Sequence, residues 1–126
     1  MSDDVFGVKK TGIRHLLAAG HYSMGGARRL LKETAARHEI AAYLVMLALF
    51  AAIGARGAHY MALTVFFLLL LAVEALNTAI EEVVDHISRD YSAAARHAKD
   101  LGSFAVFCLL AINTAFAGYV LLDVLG

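Results

Sequence analysis

Residues 60–85 read YMALTVFFLLLLAVEALNTAIEEVVD, an apolar run that ends in a row of carboxylates. A bilayer core about 30 Å thick takes about 20 helical residues, and Tyr60 to Ile80 fills it if Glu74 and Asn77 are tolerated inside. Leu101 to Leu122 is a second stretch of spanning length, and Ile40 to Ala55 is a shorter third. Extending the third back through Arg37, His38 and Glu39, with those side chains reaching headgroup level, makes it long enough. Before it, Ile13, Leu16, Leu17, Met24, Leu30 and Leu31 mix with basic residues and are interrupted by Gly20, Gly25 and Gly26. This pattern predicts one or two amphipathic helices in the interface, with cations near anionic headgroups. The expected fold is an all-α integral membrane protein of one domain over residues 1–126. A surface helix is placed at about 8–36 and transmembrane helices at about 37–55, 60–85 and 99–123.

Composition agrees with that reading. The chain is 60% hydrophobic with neither Pro nor Trp, and its mean hydropathy is +0.67. An ordinary soluble domain does not look like this. Lys plus Arg and Asp plus Glu each total 11, so no net charge points to nucleic acid. Cys108, the single cysteine, lies inside an apolar run and is read as a buried, inert thiol. Met1-Ser2-Asp3-Asp4 precedes no hydrophobic core of signal-peptide type, so the N-terminus is expected to stay uncleaved in the cytoplasm. Basic residues set the orientation. Lys9, Lys10, Arg14, Arg28, Arg29, Lys32 and Arg37 precede the first span, and Arg89, Arg96 and Lys99 lie between the second and third. Only Arg56 lies in the Gly54 to His59 turn. The N-terminus and the second loop are therefore expected to face the cytoplasm.

At about 100° per residue, Glu74, Glu81 and Asp85 fall within about 40° of one another around the second span, with Asn77 about 60° to one side. A carboxylate in a bilayer costs several kcal/mol unless it is paired, protonated or hydrated. Glu82 reads simply as a helix end in water, whereas Glu74, two turns deeper, reads as functional. Such a stripe suits hard, oxygen-ligated cations such as Mg²⁺, and a carboxylate near a metal can take a proton from an alcohol. Glu33 with Arg37, and Lys99 with Asp100, face the same side and read individually as surface ion pairs. Together with the stripe they supply what phosphoryl transfer needs: metal-holding carboxylates, a cation and a base. No Gly-x-x-x-x-Gly-Lys-Ser/Thr loop and no His-Arg-Asp loop is present, so neither common nucleotide-binding class applies. His15, His21, His38, His59, His86 and His97 show no His-x-x-x-His pairing and read as interfacial side chains.

The run Glu74-Ala75-Leu76-Asn77-Thr78-Ala79-Ile80-Glu81-x-Val83-Val84-Asp85 resembles the signature of the prokaryotic diacylglycerol kinase family. Ala98-Lys99-Asp100-Leu101-Gly102-Ser103 resembles its second block, Glu33-x-x-x-Arg37 its segment before the first span, and Arg14 with Ala18-Ala19-Gly20 its N-terminal segment. The resemblance covers roughly residues 11–122. It implies a homotrimer of three-span subunits in the bacterial inner membrane, N-terminus cytoplasmic, with active sites completed by neighbouring subunits. It implies ATP as co-substrate with Mg²⁺, and diacylglycerol as the lipid converted to phosphatidic acid in phospholipid recycling. By that likeness Glu74 is the general base, Asn77 and Asp85 shape the catalytic site, and Glu33 and Glu81 hold the metal. The same likeness assigns ATP contacts to Arg14, His21, Glu33, Glu81, Asp90, Tyr91, Ser92, Lys99 and Asp100. Arg14, Ala18, Ala19, Gly20, Glu74 and Ser103 are then the lipid contacts.

The sequence departs from the family at Gly20-His21-Tyr22-Ser23, where Gly-Tyr-Ser is usual, so either His21 replaces the tyrosine or the register slips by one. Ala36 stands where an aromatic often precedes the arginine. The nearest rival is the undecaprenol kinase branch of the same family, against which the Asp100 to Ser103 and Ser88 to Tyr91 runs weigh. A small oligomeric ion transporter is the rival from another class, because intramembrane acids often mark ion pathways.

Overall fold

The computed structural model describes residues 11–88, 90 and 92–126. Lys9, Lys10, Arg89 and Tyr91 lie outside the described residues. Four helices follow one another: α1 (Gly12–Leu30), α2 (Thr34–Ile53), α3 (Gly57–Ile87) and α4 (Ala93–Leu125), with no strand among the described residues. α2, α3 and α4 are each long and apolar enough to cross a membrane. α1 buries none of its residues and carries Arg28 and Arg29 in its last turn, as a surface helix with a cation-favouring C-terminus should.

The surface segment does not run unbroken into the first span. After Leu30 the chain tightens, with Lys32 N–H donating to the Arg29 carbonyl at 3.1 Å and Glu33 N–H to the Leu30 carbonyl at 2.9 Å. Glu33 then turns extended at φ −79°, ψ 131° and α2 restarts at Thr34. Arg37 reaches back across this break, donating to the Leu31 carbonyl at 2.9 Å and to Thr34 Oγ1 at 3.3 Å. It thereby satisfies a carbonyl left over at the end of α1. The expected Glu33–Arg37 pair is accordingly not formed, because the guanidinium is used as a cap.

α2 and α3 form an antiparallel hairpin. Gly54 closes α2 in the left-handed region at φ 76°, a conformation cheap only for glycine, and α3 begins at Gly57. α4 packs chiefly along α3. Near the hairpin end, Phe50 and Val120 are fully buried against Leu63. Tyr43 stacks on Phe67 with ring centroids 4.1 Å apart, and its hydroxyl lies 2.7 Å from Thr64 Oγ1. Asn113 Nδ2 is shared between the Leu109 carbonyl of its own helix at 2.8 Å and the Phe66 carbonyl of α3 at 3.2 Å. At the extreme end His59 Nδ1 accepts from the Arg56 backbone at 3.2 Å, while Asp123 Oδ2 meets His59 Nε2 at 3.2 Å and Arg56 Nη2 at 2.9 Å. Cys108 is half-buried, not buried as its apolar neighbours suggest, because α4 has only α3 along much of its length. Leu44, Val45, Leu68, Leu69, Leu76, Phe104 and Phe107 stand on the outer surface. That is tolerable where the surroundings are lipid or another membrane helix.

Candidate active site

The carboxylate stripe of α3 occupies the end of the bundle opposite the hairpin. Its deepest member, Glu74, is 6% exposed, and its Oε2 has no hydrogen-bond partner. Facing it from α2 is Glu39, 8% exposed, also with an unpartnered Oε2 and within hydrogen-bonding reach of the Glu74 carboxyl. Glu39 was expected at headgroup level. The structure buries it instead, because Ala36, Glu39, Tyr43, Met46 and Phe50 follow a three-and-four spacing that forms the inward seam of α2. That spacing was the available signal, masked by the polar run Arg37-His38-Glu39.

One turn along α3, Asn77 is buried beside α4. Its Nδ2 donates to Glu81 Oε1 at 3.2 Å, and its Oδ1 is left without a partner. The close approach depends on Gly102 of α4, where a Cβ would overlap Asn77 Oδ1 and lie 3.2 Å from its Cγ. Thr78 is spent on its own helix, donating to the Glu74 carbonyl at 2.9 Å.

Further out the stripe is paired. Asp85 accepts from Lys99 Nζ at 2.5 Å, so Lys99 is partnered across α3 and α4 and not with its neighbour Asp100. Asp100 lies instead 3.7 Å from Arg96, one turn back on α4. These side chains, with Ser88, Asp90 and Ser92, line a polar cavity of about 360 Å³. Ser92 also caps α4 through its hydroxyl, which accepts from Ala95 N–H at 3.0 Å.

Glu33 and Glu82 meet on Arg29. Nη1 of Arg29 donates to Glu33 Oε1 at 2.7 Å, while Nε, at 3.1 Å, and Nη2 both donate to Glu82 Oε1. The hydrogen bonds to Glu82, and then to Glu33, hold the guanidinium above its ordinary pKa. Glu82 therefore does more than end a helix in water. The pairing of Arg29 with Glu82 was not legible in the sequence, since only the fold brings residues so far apart in the chain together.

Arg14, Ala18 and His21 line a separate groove on α1, with Leu17 and Tyr22. The isolated chain does not join it to the Asp85–Lys99 cavity. Ala19 is half-buried, and Gly20 and Ser103 are exposed on α1 and α4. Among the described residues no three His, Cys, Asp or Glu side chains converge as a metal cage. The carboxylates still suit Mg²⁺, which is held by one or two carboxylates plus phosphate oxygens. Asn77 turns Oδ1 toward Gly102 and Nδ2 toward Glu81, so its amide orients Glu81 without joining the donors.

The model of the prokaryotic diacylglycerol kinase family matches residues 21–122. A Sinorhizobium protein named diacylglycerol kinase is 50% identical over 114 residues, covering 90% of this chain and 83% of its own. The Haemophilus influenzae protein of that name is 36% identical over 105 residues, covering 82% and 89%. The Escherichia coli K12 protein of that name is 34% identical over 113 residues, covering 89% and 91%.

Proposed function

The chain belongs to the prokaryotic diacylglycerol kinase family, and on that premise we propose that it moves the γ-phosphate of ATP onto the primary hydroxyl of diacylglycerol, yielding phosphatidic acid. The reaction takes place at the cytoplasmic face of the bacterial inner membrane and serves phospholipid recycling. The observation that carries the reading is Glu74: a carboxyl buried on a membrane span, with an oxygen left free for a substrate's proton.

Glu74 takes the proton of the lipid hydroxyl as that oxygen bonds to the γ-phosphorus, and the bond from phosphorus to the bridging oxygen breaks, releasing ADP. Glu39, buried beside it on α2, orients the Glu74 carboxyl until the hydroxyl arrives. Glu33 and Glu81 would hold Mg²⁺, with Asn77 fixing Glu81 through its amide. Bound there, the cation neutralises phosphate charge. Lys99, held by Asp85, and Asp100, Asp90, Ser92 and Tyr91 receive the nucleotide, joined by Arg14 and His21 of a surface helix. Ala18, Ala19, Gly20 and Ser103 border the lipid. The protein acts as a homotrimer, which would bring the α1 groove of one subunit toward the cavity of another and cover part of the exposed apolar surface.

The test is transfer of labelled phosphate from ATP to diacylglycerol and to undecaprenol, side by side in mixed micelles, with wild type and Glu74→Gln. Glu74-dependent phosphatidic acid is the expected product. Glu74-dependent undecaprenyl phosphate would move the substrate to the polyprenyl branch, and no lipid product from folded protein with Mg²⁺ present would end the kinase reading.

A further inference from the structure

Arg29 sits where three elements meet: the last turn of α1, the break that carries Glu33, and the cytoplasmic end of α3 that carries Glu82. As a surface staple it adds little, since exposed ion pairs are weak. Its geometry is more specific than that. The Nε and Nη2 edge of the guanidinium is committed to a single oxygen of Glu82, while Nη1 alone reaches Glu33. The two attachments can therefore be released separately.

Arg37 caps α1, Lys99 is on Asp85, and Arg96 lies against Asp100. Among the described residues Arg29 is the one basic side chain that touches a carboxylate proposed to hold the metal. With two carboxylates against one guanidinium, the cluster is net negative before a polyanion such as ATP approaches. A nucleotide that arrives with its divalent cation changes this, because Glu33 can exchange a guanidinium for that cation.

We propose that Arg29 is a nucleotide-binding residue, anchored by Glu82, whose Nη1 edge passes from Glu33 to the polyphosphate when Glu33 takes up the accompanying cation. The proposal rests on the kinase reading above and adds a residue that reading does not contain. In it Glu82 is a positioning residue that acts through Arg29, and the Arg29–Glu33 pair is the resting state of the site. An arginine suits the role because its planar fork can hold a carboxylate on one edge and a phosphate on the other.

Binding of the Mg²⁺ complex of a non-hydrolysable ATP analogue to the purified full-length protein in detergent micelles tests this without turnover. Arg29→Gln is expected to weaken analogue binding about tenfold, with Arg29→Lys in between and the KM for diacylglycerol unchanged. The unchanged lipid KM, with wild-type elution on size exclusion, separates this from misfolding. The effect of Glu82→Gln must depend on Arg29 and vanish in the Arg29→Gln background. Analogue binding by Arg29→Gln within twofold of wild type, or additive effects of the two substitutions, would overturn the proposal. If the wild type binds no analogue at all, the kinase reading itself fails, and this assignment falls with it.

Discussion

Glu74 and Asn77 are one turn apart on α3, yet each is held in place by a different helix. Glu39 of α2 faces the first and Gly102 of α4 makes room for the second. Glu74→Gln keeps the shape and removes the base, so kcat should drop by about 10² to 10⁴ while the protein still elutes as the wild type does. Substantial remaining turnover would dismiss Glu74 as the base. Gly102→Ala pushes a methyl group onto Asn77 Oδ1 and should cost about 1–3 kcal/mol of stability, together with a higher Mg²⁺ requirement as Glu81 loses its orienting amide. Shortening the neighbour, in the double variant Gly102→Ala with Asn77→Ser, should recover the stability but not the Mg²⁺ requirement. A thermal-unfolding series with Mg²⁺ titrations separates the two effects. At this scale the sequence made Glu74 conspicuous, because a carboxylate deep in an apolar run needs a reason, and the structure buries it. It was blind to Arg29, Glu39 and the capping role of Arg37, whose partners are set by how the helices cross.

α3 and α4 are the pair that carries the site, and they are stitched at both levels of the bundle: by Lys99 on Asp85 toward one end and by Asn113 on the Phe66 carbonyl deeper in. Asn113→Ala removes the deeper stitch. Interhelical hydrogen bonds between membrane helices average about 0.6 kcal/mol, with a maximum near 1.7, so a loss in that range is expected on denaturant unfolding in mixed micelles, with the KM for ATP unaltered. A larger loss, or a changed KM, would mean that Asn113 bears on the site. The helices themselves were legible because apolar runs of spanning length have few other solutions. Their ends were less so. Hydropathy sees where Leu101 begins an apolar stretch, whereas α4 begins at Ala93 because the Ser92 hydroxyl caps it there. The break at Leu31 to Glu33 had no composition signal at all, since it is made by backbone hydrogen bonds and the reach of Arg37.

For the molecule as a whole, the proposed orientation rests on the basic residues of α1 and of the first turns of α4, and it sets the site on the cytoplasmic side and the Gly54 hairpin on the other. With Cys108 replaced by Ala, a cysteine at Ala55 should react with a membrane-impermeant maleimide added to intact spheroplasts, while one at Ser92 should react only after lysis. The reverse pattern would invert the proposed orientation. α3 has 31 residues, about 46 Å of helix at 1.5 Å per residue, against a hydrocarbon layer of about 30 Å. The surplus is where the stripe from Glu74 to Asp85 climbs from lipid to water. Glu74 keeps its place along that rod whatever the bilayer does, so the thickness of the membrane decides how far below the headgroups its carboxyl waits. On the proposed mechanism, acyl-chain length should then bear on the reaction, as a thicker sheet draws Glu74 away from the aqueous nucleotide and a thinner one leaves it awash.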